Sequence, residues 1–147
     1  MRDIRSQVLQ IGVDLRIDVH ELSDIQRTHV LDDVFAKYTQ GYRYAWAMWD
    51  SRYVAPHVSR QAEDGWEWCA DFIGMNQAFL CFNSAHEEAM FAIAGGHAVV
   101  RLLGEMPAEE FYLTNTLTDY VRCFNHHDYL IACGRARAWL TAYQPAG

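Results

Sequence analysis

The side chains best suited to chemistry stand together at Asn125-His126-His127-Asp128. Imidazoles beside a carboxylate and an amide can bind a divalent metal or pass protons near neutral pH. Their spacing argues against one shared metal, because adjacent side chains of an extended chain point to opposite sides. Further ligands would have to come from His86, His97, Glu110 or Asp119, and no spacing among these demands a metal. Asn and Asp at the two ends of a bend also have an ordinary role, closing it through side-chain to backbone hydrogen bonds. The four residues are read first as a turn, with a partner contact or a metal-dependent hydrolase site as alternatives.

Other motifs fall short of a reaction. His86-Glu87-Glu88 begins like the zinc-protease HExxH, but Met90 stands where the second histidine must be. Gly95-Gly96 lacks the further glycines and lysine of a phosphate cradle, and no GxSxG nucleophile elbow is present. Cys69, Cys81, Cys123 and Cys133 form no CxxC pair and sit inside apolar runs, where a thiol acts as a small buried hydrophobe. No catalytic residue, metal or cofactor is assigned.

Charge is more informative. The net charge of -7 works against a protein that must offset nucleic-acid phosphates. Residues 61–111 hold nine acids, including Glu63, Asp64, Glu67, Glu87, Glu88, Glu109 and Glu110, against the single base Arg101. Such a block is either a solvated face or a field that steers a basic partner. Tyr42, Tyr44, Trp46, Trp49 and Tyr53 crowd together just upstream, and Trp66 and Trp68 stand among the acids. Tyr and Trp are enriched at binding hot spots as well as in cores. Trp66 and Trp68, two apart, cannot both centre on one helical face, so one is expected near the surface.

The elements that must position these residues read as one domain over 1–147. Hydrophobic residues make up 51 %, enough for a core, and the apolar stretches are too short to span a bilayer. The N-terminus lacks a secretory pattern, so a cytoplasmic protein is expected. A first helix begins near residue 2; the alternation from Val13 to Val19 also suits a strand, with Gly12 as the boundary. Ser23 predicts a helix N-cap, with Ile25, Val30, Val34 and Phe35 as the apolar stripe up to Tyr38. Residues 42–48 suit a strand or an aromatic helix, and 60–73 a helix stopped by Gly74. Strands follow at 78–82, 89–94, 111–115, 120–124 and 129–133, with helices at 97–106 and 135–143. Clustered helices and clustered strands predict an α+β fold with a mainly antiparallel sheet of about five strands, packed with N-terminal helices and a C-terminal helix. A turn centred on His126-His127 sets Cys123 opposite Leu130 and puts Cys123 and Cys133 on opposite faces.

The segments AFLCFN (78–83), EFYLTN (110–115) and CFNHHDYLIACG (123–134) resemble those of small bacterial polymorphic-toxin immunity proteins, over about half the chain. The resemblance implies a non-catalytic cytoplasmic protein that binds and neutralises a cognate toxin. The expected contact is the acidic, aromatic surface of Glu63, Asp64, Trp66, Glu67, Trp68, Glu87, Glu88, Glu109 and Glu110. The alternatives are the hydrolase and a non-catalytic interaction domain of a larger complex.

Overall fold

The computed structural model describes residues 3–41, 56–107 and 109–145. The aromatic run from Tyr42 to Tyr53, and the element expected at 42–48, lie outside the described residues. Helix α1 (Ile4–Leu15) starts at Asp3, whose carboxylate accepts the Ser6 N–H at 2.7 Å, and ends at Arg16 in the left-handed conformation. It runs straight through Gly12, so the expected boundary there is corrected: a Cβ on Gly12 would come 2.9 Å from the Val19 side chain, and glycine lets the next strand lie close. Strand β1 (Val19–Glu21) is all that remains of the alternating pattern. Helix α2 (Asp24–Tyr38) begins as expected at Ser23, with Gln26 completing a capping box. Its buried stripe is Val30, Val34 and Tyr38; Ile25 faces solvent.

The helix expected over 60–73 is replaced by three elements. Strand β2 (His57–Gln61) is followed by a 3-10 turn (Gly65–Trp68) and a short helix α3 (Cys69–Ile73), which stops at Gly74 as expected. The first piece is a strand because it pairs along its whole length with residues 129–133, and Arg60 ties it to the C-terminal helix. Its guanidinium donates to the Leu140 and Tyr143 carbonyls at 3.0 and 2.8 Å and so satisfies the end of the C-terminal helix. Then come β3 (Gln77–Phe82), β4 (Met90–Ala94), α4 (Gly96–Gly104), β5 (Phe111–Thr114), β6 (Tyr120–Phe124), β7 (Tyr129–Gly134) and α5 (Ala136–Ala142).

The fold is α+β, and among the described residues seven strands form one antiparallel sheet in the order β1-β4-β3-β5-β6-β7-β2. The five expected strands are its centre, and the two added strands are its edges. On one face, α1, α3, α4 and α5 supply Val8, Ile73, Val99, Leu102 and Leu140 to a core with Leu80, Phe91, Leu113 and Phe124. Arg122 lies in this face, 1 % exposed, and among the described residues its guanidinium has no hydrogen-bond partner. It lies instead against the Phe72 and Trp139 rings, 5.0 and 4.8 Å from their centroids; the two rings themselves meet edge to face. Burial pulls its pKa below the usual arginine value. The other face packs Phe79, Met90, Tyr112, Val121, Cys123, Ile131 and Cys133 against α2.

The register of the last hairpin differs from expectation by one residue. Phe124 pairs with Leu130 and Cys123 with Ile131, so Cys123 and Cys133 share the α2 face rather than opposing ones. Asp128 causes the shift. Its φ of 62° adds a left-handed residue after the turn, lengthening the loop by one. All four cysteines are free, and burial pushes the Cys81 and Cys133 thiols up to about 12 and Cys69 to about 11.

Candidate functional site

Antiparallel pairing gathers residues that are distant in sequence. The ends of β1, β3, β6 and β2 and the starts of β4, β5 and β7 all lie at one end of the sheet. Read across that end in sheet order, the chain presents Glu21, then Glu87 and Glu88, Asn83, Glu109 and Glu110, Asn125 to Asp128, and finally Glu63 and Asp64. From β4 to β2 this rim spans about 24 Å at ~4.8 Å per strand. The acids and the paired histidines, rival sites in the sequence, are neighbours on one rim. The opposite end carries Lys37, Arg135 and Arg137 with Asp18 and Asp119; Arg135 pairs with Asp119 at 3.0 Å.

The rim acids divide into held and free. Glu87 accepts the Arg5 N–H of the first turn of α1 at 3.0 Å and the Ala89 N–H at 3.1 Å, placing its charge at the positive end of that helix. Glu110 accepts the Tyr112 hydroxyl at 2.8 Å. Glu109 lies 3.7 Å from His86, and Arg5 covers Glu21 at 2.6 Å. Glu63 and Glu88 of the rim, and Glu67 of the 3-10 turn that follows Asp64, make no side-chain hydrogen bond or ion pair among the described residues; all three and Asp64 are exposed. Trp66 is half-buried beside Gly104, whereas Trp68 is 6 % exposed and packs against Tyr143 and Arg60. Of the two tryptophans, Trp66 is the more exposed.

The Asn125–Asp128 segment is built by turn chemistry. The Asn125 side-chain oxygen accepts the His127 and Tyr129 N–H groups at 2.9 and 3.1 Å, and Gln61 donates to the His127 carbonyl at 3.2 Å. The His126 and His127 rings are exposed, 3.9 Å apart and tilted by 45°. Among the described residues no group of three or more His, Cys, Asp or Glu side chains is placed to hold a metal ion. Glu21 belongs to the rim and was not singled out from the sequence, because it lies outside the acidic block and joins it only through β1–β4 pairing. Among the described residues no helix is long and apolar enough to cross a membrane. No family model, curated protein or solved structure matches the chain.

Proposed function

We propose that the chain is a stoichiometric binding protein that neutralises a cognate bacterial toxin in the cytoplasm by covering it with the acidic rim. The observation that carries this reading is the convergence of acids from five separate segments on one end of the sheet, with Glu63 and Glu88 unpaired among the described residues. Like charges held together cost free energy in the isolated protein, and a basic surface placed against them removes that cost. Long-range attraction would speed the encounter, and the half-buried Trp66 supplies an apolar contact beside the carboxylates.

The test uses the acids that support nothing else in the fold. A Glu63→Lys, Glu67→Lys, Glu88→Lys variant should keep its thermal stability, lose about tenfold in association rate with the toxin, and show a flatter salt dependence. Co-expression with the toxin reads the same effect as lost protection of the cell. Unchanged association and undiminished protection would overturn the proposal.

A further inference from the structure

Between α2 and the sheet lies a cavity of about 300 Å³, at the lower end of the range that small-ligand sites occupy. Its floor is apolar sheet: Cys81, Met90 and Val121. Its roof is Leu31 and Val34 of α2. Thr28, Ser84, Glu87 and Glu88 also line it, which joins the cavity to the acidic end of the sheet. We propose that this cavity binds a small amphipathic cation, with the apolar body against the sheet and an ammonium head at Glu87 and Glu88.

The sign of the ligand's charge follows from how the lining groups are engaged. Arg27 is the single cation in the lining against Glu87 and Glu88, and its guanidinium meets Asp24 at 3.2 Å, so the net charge around the cavity is negative. Glu87 is fixed by two backbone N–H groups, so its carboxylate is oriented before any ligand arrives. Glu88 is exposed and unpaired among the described residues, and can close on a cation. Burial of the ligand's apolar body supplies the affinity, and the carboxylates supply the choice of sign. This site lies beneath α2 and does not depend on the toxin reading.

The experiment is calorimetric titration of the full chain with octyltrimethylammonium and with octyl sulfate, both below their micellar concentrations. The ammonium should bind saturably, one per chain, about tenfold more tightly than the sulfate, and added salt should narrow that ratio. Glu88→Gln should weaken the ammonium several-fold. Thr28→Trp, at an exposed position on the cavity wall, and Leu31→Trp, which fills it from the roof, should each abolish binding while the far-ultraviolet circular dichroism stays unchanged. Two variants guard against one failing to fold. Equal binding of the sulfate, absence of saturable ammonium binding, or ammonium binding that survives both tryptophan substitutions would overturn the proposal.

Discussion

The two faces of the sheet are covered in opposite ways. Among the described residues four helices cover one face and fill it so closely that α3 and α4 touch through their backbones, with a guanidinium packed against two rings. Among the described residues α2 is the one helix on the other face, which keeps a cavity and three of the four thiols. Close packing tolerates little change, while a face under a single helix can open at lower cost. The difference assigns rigidity to the four-helix face and adaptability to the α2 face.

Alkali should break this contrast most strongly. The unfolded thiols ionise from pH 9, whereas burial holds Cys69 near 11 and Cys81 and Cys133 near 12, and Tyr120 is raised to about 12 in the same way. Because the folded values are raised, this stability is complete below pH 9 and is lost as pH climbs toward 12. Urea unfolding at pH 8 and pH 10 should differ by roughly 1 kcal/mol for each buried thiol. Limited proteolysis at the higher pH should cut α2 first, since Cys81, Cys123 and Cys133 all lie beneath it. Equal stability at the two pH values would contradict the burial.

On the four-helix face, Gly96→Ala should cost about 3 kcal/mol in denaturant unfolding, the upper end of overpacking. Its new methyl would come 2.3 Å from the Ala70 carbonyl oxygen, and backbone cannot step aside as a side chain can. Arg122→Met should act in reverse. It removes a buried charge that has no hydrogen-bond partner among the described residues while keeping bulk against Phe72 and Trp139, and should raise stability by about 1–2 kcal/mol. A fall in unfolding midpoint would mean that the ring contacts outweigh the desolvation. The smallest effect belongs to α2: Ser23→Ala removes its capping box and should cost about 1 kcal/mol, read as faster hydrogen exchange in that helix ahead of the rest.

What was legible in the sequence follows the same division between centre and edge. The central strands are buried on both sides and appear as apolar runs such as FLCF and MFAIA, so their number and antiparallel pairing could be read. The edge strands VHE and HVSRQ are short and half polar, as edges that avoid pairing with other chains tend to be. The hairpin register escaped because it turns on Asp128 taking a positive φ, which leaves no mark in hydrophobic spacing. The acids of the candidate site were visible as a block. Their alignment with Glu21 and with the paired histidines depends on strand order, which local patterns do not encode. The cavity under α2 arises from tertiary spacing and had no sequence signal.

Both outermost strands come from the first 61 residues, while everything between them is drawn from 77–134. During synthesis the margins therefore leave the ribosome long before there is a sheet for them to border. They must wait, unpaired, until the later hairpins assemble between them, and the finished sheet is closed at each side by the part of the chain that was made first.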